Sequence, residues 1–366
     1  MTMTFKSAQP VTHSDNDRLA KILADPGFVN FFSDHMAQAE WSLEKGWHDP
    51  GLVDYQPWSL APGTAVFHYA QEIFEGLKVY RHADDSLWLF RPEMNAQRFQ
   101  RSAQRMCLPV LPEDDFLAAV RALAQVDAAW VPKGAEMSYY MRPFLFADEA
   151  FLGVHAANKA RFAVVGGPAA PYIADGLTPA DIWVTTTYSR AGNGGTGAAK
   201  CGGNYASSLF AQAEGADHGC SQVLFTDASS HLWVEELGGM NFFLVTSDDH
   251  LVTPPTSGTI LDGITRDSIL TLAPALGLTP QVRPIALAEL LDGIADGSVR
   301  EAFACGTAAV VTPIGCLVHR HDGEIMRSAL PQSLGDATRA IRRQLVDVQW
   351  GRAEDSYGWL QPVTSN

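Results

Sequence analysis

Cysteine is sparse in this 366-residue chain: Cys107, Cys201, Cys220, Cys305 and Cys316 are odd in number, scattered, and form no C-x-x-C pair. That spacing suggests neither a disulfide framework nor a zinc cage, so no metal is expected, and a reducing cytoplasm suits it. Basic residues are also few, 26 Lys and Arg against 41 Asp and Glu, a formal net charge of -15. A phosphate-backbone partner calls for a basic face, so nucleic acid is not expected. The opening MTMTFKSAQPVTHSDNDR has no apolar h-region, and the apolar run GTAAVVTPIGCLV is broken by Pro313 and too short to span a bilayer. No membrane role follows. There is no G-x-S-x-G elbow, which removes the serine hydrolases of that type, and no repeat of fixed period.

What is present is an ordinary globular composition, 46% hydrophobic and 18% charged, at a length that favours two domains over one core. The clearest break is GGPAAPYIADGLTPAD, between the strand-like runs RFAVVGG and DIWVTTTY. It predicts a small N-terminal domain over residues 1–167, a linker over 168–180 and a larger domain over 181–366. In the first part, TAVFHYAQEIFEGLKVYRH and SLWLFR read as strands and a turn. PEMNAQRFQRSAQRMCLP reads as a helix, because Ala96, Phe99, Ala103 and Met106 recur at three- and four-residue steps. SYYMRPFLFA returns to strand. In the second part, strands SQVLFTD, LWVEE, NFFLVTS, EAFACG and AAVVTPIG mix with helices near 206–214, 265–276 and the C-terminus. The mixture predicts an α+β fold, without the regular strand-helix alternation of a Rossmann domain.

One lysine stands in the glycine-rich GNGGTGAAKCGGNY, at Lys200. A Walker loop beginning at Gly192 would put its lysine at 198, where there is Ala. Gly192, Gly194 and Gly197 satisfy G-x-G-x-x-G after a strand-like run, yet Gly202-Gly203 interrupts the helix that a dinucleotide fold needs next.

Other stretches suggest sites and also have plainer readings. Glu235 to Arg266 contains Glu236, Gly239 and Asn241, then Leu251-x-Thr253, then Leu261-x-Gly263-Ile264-x-Arg266. Gly263 would open a helix whose first N–H groups, from Ile264 and Thr265, form an anion site; an ordinary helix cap reads the same way. Gly306-Thr307-Ala308 in ACGTAAV offers backbone N–H groups to an anion, or is simply a tight hairpin. Arg98 lies beside the helix's apolar stripe, suited to a bidentate phosphate contact or to solvent. Glu236 could reach a bound ring or end a strand at the surface. His319-Arg320-His321 precedes the turn signal Asp322-Gly323 and lacks a third metal ligand.

An amine, two backbone anion sites, an arginine, a carboxylate and the nearby phenol Tyr205 are together what pyridoxal 5'-phosphate uses. At these residues the chain resembles the fold-type IV pyridoxal-phosphate enzymes, and within them the branched-chain amino acid aminotransferases. FHYAQEIFEGLKVYR, NAQRFQRSA, YMRP, GGTGAAKCGGNYA, CGTAA and the Glu236–Arg266 segment carry the likeness. The resemblance implies two domains, the second with a β pseudo-barrel, and a homodimer. It implies that Lys200 binds the cofactor aldehyde and moves the substrate proton, that Glu236 meets the ring nitrogen and Tyr205 the ring oxygen. It gives the phosphate to Arg98, the N–H groups of Ile264 and Thr265 after Gly263, and the Thr307 hydroxyl, and packs Leu261 on the ring. Phe74, Tyr69, Tyr140, Arg142, Val154 and Tyr172 would line the substrate pocket, with Thr307-Ala308 receiving the α-carboxylate. The implied reaction moves the amino group of leucine, isoleucine or valine to 2-oxoglutarate in a ping-pong cycle. Two departures stand out: Gly239 replaces a family Thr, and the stretch after Gly306 lacks the paired cysteines of mammalian members. Rival readings are a D-amino acid aminotransferase, an aminodeoxychorismate lyase, a nicotinamide oxidoreductase and a silent binding protein.

Overall fold

Pro92 at the first helical position and Glu93 in the first turn start the helix Pro92–Arg105, behind Arg91 in the left-handed region. Its buried face carries Asn95, Ala96, Arg98, Phe99, Ser102 and Ala103, so Arg98 and Ser102 point the same way, four residues apart. In the computed structural model, which describes residues 2–7, 13–171 and 177–364, this helix packs on a second one, Glu113–Val126. The rings of Phe99, Phe116 and Phe162 meet one another with centroids 5.3–6.3 Å apart. Burying each such ring contributes about 2 kcal/mol.

These helices belong to the first of two compact units, Met1–Tyr172 with Ala199–Gly202 and Asp347–Asn366; the second holds Ile173–Ala198 and Gly203–Val346. The first unit therefore includes Lys200 and the C-terminal twenty residues, which the composition reading places in the second domain. Its sheet runs, in spatial order, Leu360–Pro362, Leu87–Phe90, Leu77–Arg81, Ser138–Ala147, Lys159–Ala169, His35–Ser42, Gly46–Asp54, and Glu72–Phe74 also pairs with Ser138–Ala147. Every pairing between these strands is antiparallel.

The second unit closes on itself. Strands Val234–Leu237, Gln222–Thr226, Ala180–Thr185, Val310–His321, Val299–Gly306 and Asn241–Thr246 form a ring, completed by the pairing of Glu236 with Asn241. Closure removes sheet edges, and the lumen fills with Val184, Leu224, Leu237, Phe242, Ala304, Ile314 and Leu317. Ala180–Thr185 lies parallel to Gln222–Thr226, so the chain must cross over, and the helix Leu209–Asp217 does so. The family expectation of an α+β chain with a barrel-like second part holds.

Two sequence expectations change. TAVFHYAQ is not a strand: Ala65–Tyr69 is a short helix, ended by Ala70 in the left-handed region, and extended structure starts only at Glu72. The Pro- and Gly-rich break begins inside a strand, since Lys159–Ala169 carries Gly166, Gly167 and Pro168. His319-Arg320-His321 sits in a hairpin whose turn, Asp322-Gly323, has φ 48° and 86°, as a type I' turn requires.

Candidate active site

Ala199 and Cys201 are buried in the first unit's core while Lys200 between them is half-buried. Three backbone contacts fix this segment within the unit. The Lys200 N–H donates to Ser102 Oγ at 3.0 Å, its carbonyl accepts from the Phe74 N–H at 2.9 Å, and the Gly202 N–H donates to Glu72. Lys200 Nζ lies 4.9 Å from the Phe74 ring centroid.

Arg98 is buried and points at Glu75, donating through Nε at 2.7 Å and Nη2 at 2.8 Å; Asn95 Nδ2 adds a third bond at 2.7 Å. Burial alone would push the Glu75 carboxyl up, but Arg98, then Lys200 and Asn95, hold it below its ordinary value. The pairing uses two of the five N–H donors of the guanidinium.

Phe74, Tyr140 and Arg142 form one group in the same unit. Arg142 Nη2 donates to Tyr140 Oη at 3.1 Å, and its Cζ lies 4.6 Å from the Phe74 centroid and 5.5 Å from that of Tyr140. Gly76 makes room for them, because a Cβ there would strike Tyr140 Oη. Tyr69 turns to the Leu152 carbonyl at 2.5 Å and stacks on Phe151. Val154 is 87% exposed, apart from that group. Tyr172 lies outside the described residues.

In the second unit Glu236 is buried and bonded at both oxygens. Oε1 accepts from Arg190 Nε at 2.8 Å and from the Leu261 N–H at 2.9 Å; Oε2 accepts from Asn241 Nδ2 at 2.9 Å. Arg190 also donates to the Gly197 carbonyl at 2.9 Å. The signature spacing now has a cause. Asn241 ties Glu236 to the Leu261 carbonyl, Gly263 must lack a Cβ because one would strike Asn241 Oδ1, and Arg266 donates to the Pro254 carbonyl, bracing the loop. Gly263 caps the helix Ile264–Leu272 without a side-chain bond, so the N–H groups of Ile264 and Thr265 open it.

Thr196 and Asn204 bond reciprocally at 2.8 Å, clasping the chain on either side of the lysine segment. Tyr205 lies on the short helix Gly202–Ala206, and a Cβ on Gly239 would come within 3.4 Å of its ring, so the glycine leaves that phenol room. Thr307 and Ala308 occupy the turn joining Val299–Gly306 to Val310–His321, half-buried. Cys305 beside them is fully buried, and burial raises its thiol far above the ordinary value, which makes it inert.

Sequence reading missed Glu72, Glu75, Arg190 and, as a functional group, Asn241. Glu75 stands in FEG and Arg190 two residues before Gly192, but neither lies in a pattern that announces its partner.

The donor set, an amine on a segment pinned by backbone hydrogen bonds, a buried carboxylate held by three donor groups and a helix start capped only by glycine, fits a phosphorylated aldehyde cofactor with a basic ring nitrogen. Residues 72–315, more than half the chain, match the family described as Amino-transferase class IV, and the chain belongs to that family of pyridoxal-phosphate aminotransferases. A branched-chain-amino-acid aminotransferase of Mycolicibacterium smegmatis is 46% identical over 93% of this chain and 92% of its own length. Among solved structures, the Escherichia coli branched-chain amino acid aminotransferase aligns with TM-score 0.73 and 27% identity over 90% of this chain and all of its own. A second solved branched-chain amino acid aminotransferase, holding pyridoxamine 5'-phosphate, aligns with TM-score 0.73 and 26% identity, over 90% of this chain and 99% of its own.

Proposed function

We propose that this enzyme transfers the amino group of L-leucine, L-isoleucine or L-valine to 2-oxoglutarate, reversibly and in two half-reactions. The observation that carries it is the grouping of Phe74, Tyr140 and Arg142 in the same unit as Lys200: aromatic faces for an aliphatic chain and a guanidinium for a second carboxylate. Relatives named for branched-chain amino acids support the same substrate class.

Bound pyridoxal phosphate supplies an electron sink that makes the substrate Cα proton removable. Lys200 is assigned the covalent hold on the cofactor and, once displaced by substrate, the transfer of that proton as a general base and acid. Glu236 is assigned to the ring nitrogen, with Arg190 and Asn241 fixing its carboxylate; Tyr205 to the ring oxygen; Leu261 to the ring face. Arg98, the Ile264 and Thr265 N–H groups and the Thr307 hydroxyl are assigned to the phosphate. Tyr69, Val154 and Tyr172 complete the proposed pocket wall, and the Thr307-Ala308 backbone takes the α-carboxylate.

A homodimer in the cytoplasm completes the proposal, consistent with unbridged cysteines and with no helix, among the described residues, long and apolar enough to cross a membrane. The test is the visible spectrum of the purified protein before and after L-leucine, with D-alanine as control. A coloured band bleached by L-leucine alone supports cofactor, lysine and stereochemistry together. No band after added cofactor overturns the lysine assignment; bleaching by D-alanine alone overturns the substrate.

A further inference from the structure

The second unit holds a cavity of about 200 Å³ that the proposed reaction leaves unused, lined by Asn193, Asp227, Ala228, Ser229, Glu235 and Thr259. Its lining offers two carboxylates, a side-chain amide and two hydroxyls, and no Lys, Arg or His among the described residues.

The two acids differ in what their own surroundings give them. Asp227 is saturated by its loop: Oδ1 accepts the Leu232 and Trp233 N–H groups, each at 2.9 Å, and Oδ2 accepts Ser229 Oγ at 2.7 Å and the Ser230 N–H at 2.8 Å. Against the opposing pull of burial, such bonds hold its carboxyl far below the ordinary value, so it is a fixed negative charge with its lone pairs taken. Glu235 is the opposite case. It shares with Glu236 a β-bulge in Val234–Leu237, where Val234 pairs with Thr226 and Leu237 with Leu224, and a bulge re-aims side chains. Glu235 is only 6% exposed; Oε1 accepts the Thr259 hydroxyl at 2.5 Å, while Oε2 is buried without a hydrogen-bond partner. Arg190 donates to Glu236 and to the Gly197 carbonyl.

We propose that this cavity binds one alkali-metal cation, with Glu235 Oε2 as the charged ligand and Asn193, Ser229 and Thr259 offering neutral oxygens. The Ser229 and Thr259 hydroxyls donate to Asp227 and Glu235, which leaves their oxygen lone pairs for a cation. Oxygen donors select a hard cation. One carboxylate with lone pairs to give sets the charge at one, since calcium gathers more oxygens and charge than Glu235 alone supplies. Water in the same space satisfies Oε2 as a hydrogen-bond donor but supplies no charge, so the two occupants differ in ion dependence. Burial raises the Glu235 carboxyl, opposed by Thr259 and the Arg190 charge and reinforced by Asp227; a cation answers both negative charges at once. It also ties the glycine-rich loop at Asn193 to the loops of Ser229 and Thr259. Those loops already touch, because a Cβ on Gly197 would strike the Thr259 carbonyl, and they carry the Gly197 and Leu261 contacts of the Glu236 network.

The experiment is thermal unfolding of the holoenzyme above neutral pH in KCl, NaCl or tetramethylammonium chloride, with MgCl2 at the same ionic strength as a fourth arm. KCl or NaCl should raise the wild-type Tm by about 3 °C or more over tetramethylammonium chloride, and MgCl2 should do less. Glu235→Gln should erase the difference, which separates a bound ion from a general salt effect. Equal Tm values in all four salts, stabilisation by MgCl2 alone, or a Glu235→Gln protein that keeps the ion dependence overturns the proposal. A second measurement needs no variant: wild-type crystals soaked in rubidium or thallium(I) salts should show an anomalous peak beside Glu235 Oε2, and its absence overturns the site. The ion site and the transaminase reading fail separately. Failure of L-leucine to bleach the cofactor band leaves the Tm result standing, and an ion-independent Tm leaves the substrate reading standing.

Discussion

Each unit carries two acids close in sequence, Glu72 and Glu75 in the first, Glu235 and Glu236 in the second, and in each pair one is saturated with donors while the other is not. Glu75 and Glu236 each accept from an arginine and an asparagine. Glu72 has a backbone N–H, and Glu235 has the Thr259 hydroxyl on Oε1, at 2.5 Å, with a buried and unpartnered Oε2. Burial raises both under-satisfied carboxyls. The pairs differ in their cations. In the first, Arg98 serves Glu75 and the charge of Arg142 acts on Glu72; in the second, Arg190 binds Glu236 and its charge alone also reaches Glu235, where Asp227 opposes it. The first arrangement gives the guanidinium to Glu75 and leaves Glu72 with a backbone N–H. The second makes both acids depend on one side chain.

The largest expected effect isolates the lysine from both pairs. Lys200→Ala should lower transamination by about a thousandfold or more, read in a glutamate-coupled assay, with the visible band of the lysine-bound cofactor gone. Next comes the shared arginine. Arg190→Met leaves Glu236 buried without its guanidinium and the Gly197 carbonyl without its donor, and should cost about 3 kcal/mol of unfolding free energy in urea, together with weaker cofactor retention. Glu75→Gln, the matching break in the first unit, leaves Arg98 buried with a neutral partner and should cost about 2 kcal/mol, with Asn241→Ala smaller still.

Glu235→Gln separates the pairs by pH. A carboxyl raised in the folded state is fully compatible with folding below its unfolded pKa, and its contribution is lost as pH rises through the raised value. The difference in unfolding free energy between Glu235→Gln and wild type, measured in urea, should therefore move in favour of the variant between pH 4 and pH 8, by about 1 kcal/mol or less; a difference independent of pH rules out an ionising Glu235. Smallest is Gly239→Thr. A Cβ there meets the Tyr205 ring at 3.4 Å, an ordinary van der Waals contact, so the added side chain fills space beside the phenol, and a small shift of the cofactor absorption maximum with a change of about twofold or less in rate is expected.

Much of this was legible from sequence where a local pattern carried the information. The helix Pro92–Arg105 followed from apolar spacing, and Ser138–Ala147 reads as strand in a run rich in tyrosine and phenylalanine. Ala65–Tyr69 was misread because five residues are too short for helical periodicity, and Val, Phe and Tyr favour strands on average. The hairpin His35–Ser42 with Gly46–Asp54 went unnoticed, its Glu, Lys, His and Gly content masking the alternation. The partners of Arg190 and Glu72 lie 46 and 130 residues away along the chain, contacts for which one sequence holds no signal.

The path of the chain has a consequence for synthesis. The strand Leu360–Pro362 pairs with Leu87–Phe90, and the segment Ala199–Gly202 also belongs to the first unit. The unit begun first on the ribosome is thus finished last, after the entire barrel has emerged. Its outer strand Leu87–Phe90 waits with one side unpaired through more than two hundred residues of translation, a nascent edge that chaperones would be expected to shield.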